Sequence, residues 1–271
     1  EETMGIKGHL YDFQKGFLEY MEKTGNTKVL LADSMGLGKT IMAVSLFQGL
    51  RIQNGVKKLL VVCPASLKLN WQRELHKWIN GNLKSQVLFG WKGDEKLEDI
   101  DVLITNYSIF GKRRKDLERF NPDMLILDEV HYVKGHKTQR TKSILDFVKT
   151  IDPEYILALT GTPFLNYPKE LITLLQLFKR LDYFGGFWRF MKRYCDLGDK
   201  WIYIRGGEKR KVHNWNGAKN LDDLNQRLRS LFMIRREKKD VIDLPEKREM
   251  EIYFAMDSDF RERYDFVNDN V

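Results

Sequence analysis

The sequence predicts an α/β fold, a parallel sheet with helices on both faces. Five short apolar runs, at residues 29–32, 59–62, 102–105, 124–127 and 155–160, have the length and the leucine or β-branched content of buried strands. Amphipathic stretches at 41–51, 67–79 and 141–149 alternate with them. Strand and helix in alternation build a parallel sheet. Ligands on such sheets sit at the carboxyl ends of the strands, so chemistry is expected just after each apolar run.

Composition bounds the rest. The 271 residues are 42% hydrophobic and 31% charged, which suits one large α/β domain or two small ones. No run of about 18 apolar residues occurs, so no membrane span is expected. The first residues, Glu1-Glu2-Thr3, lack the basic and apolar regions of a secretory signal. Forty-six Lys and Arg against 38 Asp and Glu leave a formal charge of +8, a surplus that favours polyanion partners modestly. The two cysteines, Cys63 and Cys195, are too few for a disulfide framework or a zinc cluster. Cys63 lies in an apolar run and reads as a core residue. A reducing intracellular compartment fits.

The first apolar run leads into LLADSMGLGKTIMAV, residues 30–44. A strict phosphate loop reads G-x-x-x-x-G-K-[ST]. Asp33 stands at the first glycine position, while Gly36, Gly38, Lys39 and Thr40 keep the remainder. Backbone N–H groups of Asp33, Ser34, Met35, Gly36, Leu37 and Gly38, with those of the following helix end, suit phosphate oxygens. Lys39 would meet the outer phosphates and Thr40 would place its hydroxyl on Mg2+. A plain glycine turn is the other reading of this segment.

The fourth run ends in MLILDEVH, residues 124–131. It delivers two adjacent carboxylates at a strand end. Asp128 is placed to hold Mg2+, and Glu129 to orient and deprotonate an attacking water. An acidic pair alone is a common strand cap. After a phosphate loop it makes nucleoside triphosphate hydrolysis the leading expectation.

These segments resemble the superfamily-two helicases and, more narrowly, the SWI/SNF-type DNA translocases. Residues 33–40 are similar to that family's DEMGLGKT loop, with Ser34 in place of Glu. DEVH departs from DEAH or DEGH at Val130. The resemblance implies a RecA-like ATP-binding lobe over residues 1–180. It also implies a mainly helical or hairpin extension over 181–250, and the entry to a second lobe over 251–271. HLYDFQKGFL, residues 9–18, resembles the family's adenine-recognising segment, with Gln14 as the reading residue. A glutamine amide can donate and accept at adenine's edge, which favours ATP.

VVCPASLKLNWQREL (61–75) and ITNYSIF (104–110) look like two DNA-contacting motifs of the family. The resemblance implies that Ser66, Lys68, Thr105, Asn106 and Tyr107 grip one DNA strand through its backbone. Trp71 and Trp78, seven apart, read instead as a helix core stripe. LALTGTPFLN (157–166) resembles the motif that couples hydrolysis to movement. There Thr160, Gly161 and Thr162 would bond the 128–131 loop, His131 included, in one nucleotide state.

RYCDLGDKW (193–201), NWNGAKNLDDLNQRL (214–228) and MIRREKKDVIDLPEKRE (233–249) are similar to the annealing-helicase branch. That branch implies double-stranded or forked DNA as partner, and a second RecA-like lobe to complete the ATP site. A chain with one lobe is therefore expected to bind ATP weakly and hydrolyse it poorly. Two other classes stay open, a strand-separating helicase on DNA or RNA and a nucleic-acid-binding module with a vestigial ATP site. The complete set Lys39, Thr40, Asp128 and Glu129 speaks against decay. Residues 189–220 hold nine Lys/Arg and three Asp/Glu, interleaved with Phe190, Tyr194, Trp201, Tyr203 and Trp215 and preceded by Trp188. Both a DNA surface and a self-packed hairpin satisfy that pattern. The Lys112-Arg113-Arg114-Lys115 run reads equally as DNA track or solvated helix start.

Overall fold

The computed structural model describes residues 5–91, 96–135, 138–162, 167–203 and 209–241, and at 197–203 and 209–216 their backbone alone. Its centre is a seven-stranded sheet. In chain order the strands are β1 (Lys28–Leu31), β2 (Leu59–Cys63), β3 (Ser85–Val87), β4 (Val102–Asn106), β5 (Met124–Leu127), β6 (Tyr155–Leu159) and, far later, Met233–Ile234. A separate hairpin supplies β7 (Cys195–Tyr203) and β8 (Lys209–Ala218), which makes the last strand β9. The order across the large sheet is β3-β4-β2-β5-β6-β1-β9, and every pairing is parallel.

Burial on both faces explains why the strands read as unbroken apolar runs. Alternate residues feed two separate cores. Leu30, Leu60, Leu125 and Ile156 face a layer that holds α4 (Arg114–Phe120), α5 (Gln139–Ile151), α6 (Leu171–Leu177), α7 (Gly186–Tyr194) and α8 (Leu221–Leu231). Val29, Leu31, Val61, Ile126 and Leu157 face α1 (Asp12–Thr24), α2 (Lys39–Asn54) and α3 (Lys68–Trp78). The expected arrangement of one parallel sheet between two helical layers is present.

Both edge strands escaped the sequence reading, for a physical reason. β3 is three residues long and two of them, Ser85 and Gln86, are polar. β9 is two residues long. Neither offers a period to detect. β9 also lies inside the stretch read as an extension, so the sheet takes its seventh strand from beyond residue 180.

The basic and aromatic stretch divides. Phe190 and Tyr194 are buried, with ring centroids 5.1 Å apart, and Phe184 packs edge-on to both. These rings form core. Trp188 is exposed. The backbone of 195–203 and 209–218 forms an antiparallel hairpin with an irregularity between Asp196 and Gly198. The side chains of Trp201, Tyr203 and Trp215 lie outside the described residues, as do Arg205-Gly206-Gly207, Pro163 to Asn166 and residues 242–271. In the 112–115 run, Arg113 is buried and bonds Asp116 at 2.6 Å, and Arg114 bonds Glu118 at 2.6 Å. Those two are helix-start residues of α4. Lys112 rests 3.2 Å from the centroid of the exposed Trp91 ring.

Candidate active site

Three neighbouring strand tips make the site. β1 lies beside β6 and β6 beside β5, with Leu31 level with Leu159 and Leu127 level with Ala158. The chain therefore leaves the sheet side by side at Ala32, Asp128 and Thr160. Thr160 N still donates to Leu31 O at 3.1 Å, and Asp128 N to Val62 O at 2.8 Å. Loops distant in sequence meet at the carboxyl end of the sheet.

After β1 the chain turns through Gly36 and Gly38, with φ of +84° and +75°. A side chain at either would be strained. Gly38 is also crowded, since a Cβ there would lie 2.5 Å from Gln14 Nε2. α2 opens at Lys39, so its first-turn N–H groups point out of the loop. Lys39 Nζ donates to Asp33 O at 2.8 Å and to Ser34 O at 3.2 Å. Burial lowers its pKa, opposed by the charges of Glu129, Asp33 and Asp128. The loop and the acidic pair thus share one electrostatic environment. The third loop closes on them, because a Cβ at Gly161 would lie 3.6 Å from Lys39 Nζ and 2.6 Å from Met35 Cγ.

Both carboxylates of the pair are half-buried; Asp128 is held on two sides. Its Oδ2 accepts from Trp71 Nε1 at 2.8 Å and its Oδ1 from Glu129 N at 2.9 Å. Burial raises its pKa most; the Trp71 bond lowers it and the Glu129 charge raises it. Glu129 has φ +50°, a left-handed conformation uncommon outside glycine and frequent at functional sites. His131 Nδ1 lies 3.1 Å from Glu129 Oε2, an ion-pair distance whose angle fails as a hydrogen bond.

Trp71 is a residue whose role the spacing concealed. It is in the core, as expected, but its indole N–H is spent on Asp128. A buried tryptophan needs such a partner, and that need was the only signal available.

Other candidates brace the site from below. Gln14 is 4% exposed; its Oε1 accepts from Tyr11 N at 3.0 Å and its Nε2 donates to Leu37 O at 3.2 Å. Its amide pins α1 to the phosphate loop, with its acceptor oxygen already occupied. Lys68 is buried, donates to Leu88 O at 2.8 Å and lies 4.1 Å from the Phe89 ring centroid, and burial lowers its pKa. Thr105 and Asn106 are buried at the end of β4, Thr105 Oγ1 without a hydrogen-bond partner. Tyr107 is buried too; its hydroxyl donates to Asp128 O at 2.6 Å and its ring stacks on Tyr132 at 5.3 Å. Of the five residues expected to grip DNA, only Ser66 is exposed. The other four are buried, and of these Lys68 and Tyr107 spend their polar atoms on backbone carbonyls of neighbouring loops. Thr160 Oγ1 donates to Thr162 O at 3.0 Å and accepts from Thr162 N at 3.2 Å. Among the described residues these hydroxyls close their own turn and make no bond to residues 128–131. Burial pushes the Cys63 thiol up to about 12, in keeping with a core role.

Asp33 explains its own presence at a glycine position. It is fully buried, and the Arg236 guanidinium forks onto its carboxylate, with Nε 3.2 Å from Oδ1 and 3.1 Å from Oδ2. Arg236 N donates to Oδ1 at 2.8 Å, and Nη1 donates to Phe13 O. Backbone bonds continue the pairing past β9: Ala32 N to Ile234 O at 2.7 Å and Ser34 N to Arg236 O at 3.0 Å. The segment after β9 therefore runs alongside the phosphate loop.

A family model described as "SNF2-related domain" matches residues 13–271. The chain is 32% identical over 252 residues to a Caenorhabditis elegans homolog of SWI/SNF-related matrix-associated actin-dependent regulator of chromatin subfamily A-like protein 1, covering 91% of this chain and 34% of that one. It is 32% identical over 261 residues to the human DNA annealing helicase and endonuclease ZRANB3, covering 93% and 23%. Among solved structures it is similar to a Sulfolobus solfataricus SWI2/SNF2 ATPase core in complex with dsDNA, with a TM-score of 0.69, 26% identity, and coverage of 98% and 53%. The fold is RecA-like. The chain spans a quarter to a third of these curated relatives and about half of that core.

Proposed function

Because the chain belongs to the SNF2-related domain family, we propose that it is the first lobe of an ATP-driven translocase on double-stranded DNA. One observation carries this reading: the Lys39 ammonium lies in the joint field of Glu129, Asp33 and Asp128, against Gly161. On binding ATP, Lys39 exchanges the carbonyls of Asp33 and Ser34 for phosphate oxygens. Glu129 accepts the proton of the attacking water. Thr40 and Asp128 would hold Mg2+. Among the described residues no three His, Cys, Asp or Glu gather into a cage, which suits an ion that draws its other ligands from phosphate and water. When bound, Mg2+ neutralises charge on the phosphate oxygens.

Gly161 against Lys39, and His131 against Glu129, are the contacts through which the nucleotide state reaches the 160–162 turn. Ser66 and exposed backbone near it take the DNA, while Lys68, Thr105, Asn106 and Tyr107 keep those loops in register. The branch likeness favours annealing or fork remodelling inside the cell, in the nucleus of a eukaryote. No helix among the described residues is long and apolar enough to cross a membrane. Arginines from a second lobe complete such a site, and an arginine finger contributes about 10³–10⁵ in rate.

ATPase rates of the full-length protein on duplex, single-stranded and forked DNA test this. Stimulation by duplex DNA with no unwound product is expected. A DNA-independent rate, or strand separation, would overturn the translocase reading. The 271-residue chain alone is expected to turn over slowly.

Trp71→Phe offers a finer check. Removing the indole donor pushes the Asp128 carboxyl further up. The acid limb of the full-length protein's ATPase pH profile then shifts to higher pH, while the rate above neutrality falls less than about tenfold. An unmoved acid limb would disconnect Trp71 from Asp128.

A further inference from the structure

The segment after β9 carries two cations with different employment. Arg236 is committed to Asp33. Two residues on, Lys238 opens α9 (Lys238–Val241) and lies on the phosphate loop itself. A Cβ built on Gly36 would be 3.1 Å from Lys238 Nζ and 3.2 Å from its Cε. Gly36 is where the loop backbone runs left-handed and bare, so an ammonium can rest directly on the main chain. Among the described residues no carboxylate lies within ion-pair distance of Lys238, whereas its neighbour Lys239 holds Glu237 at 3.1 Å. The Lys238 side chain is exposed, but its backbone is anchored close by. The fork on Asp33 and the Ser34-to-Arg236 backbone bond fix the chain two residues before it.

A cation held against a loop of phosphate-seeking N–H groups has an anion as its complement. We propose that Lys238 is a phosphate-binding residue of the nucleotide pocket, meeting the outer phosphates from the Gly36 side while Lys39 meets them from α2. This rests on the ATP-site reading above and adds a ligand from a segment 202 residues further along the chain than Gly36. It also gives the segment after β9 a direct stake in whether nucleotide is bound.

The test is equilibrium titration of the full-length protein with fluorescent ATP and AMP analogues, without DNA. Lys238→Ala and the uncharged, long Lys238→Gln are each expected to weaken ATP about five- to tenfold, allowing for solvent screening of an exposed cation. AMP binding and melting temperature should stay as in the parent, Lys239→Ala should change neither, and Lys238→Arg should recover most of the ATP affinity. ATP affinity within twofold of the parent in both uncharged variants overturns the proposal. So does an equal loss for AMP and ATP, or a loss confined to duplex DNA binding, which would make the anion a DNA phosphate. Lys39→Ala separates the two layers. If it weakens ATP and the Lys238 variants do not, only the Lys238 proposal falls. If the parent binds no ATP, or Lys39→Ala binds as the parent does, the site reading falls and Lys238 with it.

Discussion

Glu129→Gln in the full-length protein is expected to lower ATP turnover by about 10²–10⁴-fold, the range that general base catalysis supplies. Its ATP affinity should remain within about threefold. The split follows from geometry. Lys39 and the loop amides bind the phosphates, and a glutamine at 129 keeps the shape and removes only the proton acceptor. Glutamine also removes one of the charges that oppose the desolvation of Lys39. Steady-state ATPase with duplex DNA and a separate nucleotide titration measure the two quantities. A variant with near-parental turnover would remove Glu129 from the chemistry, and a collapse of binding would make it structural.

Breaking the Asp33–Arg236 pair is the second large effect. Asp33 has no exposure and the Arg236 side chain little, 19%. Removing one member leaves the other charge buried and alone, which costs about 3–5 kcal/mol. Asp33→Gly is the sharpest form, since it restores the strict phosphate-loop glycine and is still expected to destabilise. Arg236→Ala should do the same and also release Phe13 O. The double variant Asp33→Gly/Arg236→Leu should recover part of the loss, because no lone charge remains. Urea unfolding midpoints of the 271-residue chain read this directly. A loss below about 1 kcal/mol for both single variants would show the pair to be dispensable.

What the sequence disclosed depended on the kind of signal. The five inner strands were legible because burial on two faces makes a strand uniformly apolar. Lys39, Asp128 and Glu129 were legible because each ends such a strand or opens the helix after it. The edge strands were too short to show a period. Trp71 and Arg236 were hidden for another reason. Their work is a hydrogen bond to a residue far along the chain, and neither hydropathy nor spacing encodes the partner. Tyr107 and Lys68 mark the opposite limit. A motif places a residue type in a loop, but only packing decides whether its side chain faces outward or braces the loop from inside.

The two-residue strand β9 has a consequence for biosynthesis. Asp33 and Arg236 are 203 positions apart, so the cradle's wall leaves the ribosome long after the loop it closes on. Until then one side of β1 is an unpaired edge, the kind of surface to which stray strands add. The nascent chain must therefore hold its nucleotide cradle half-built while the stretch between its two sides is made, and a stall before residue 233 would release a product whose open edge invites aggregation rather than ATP.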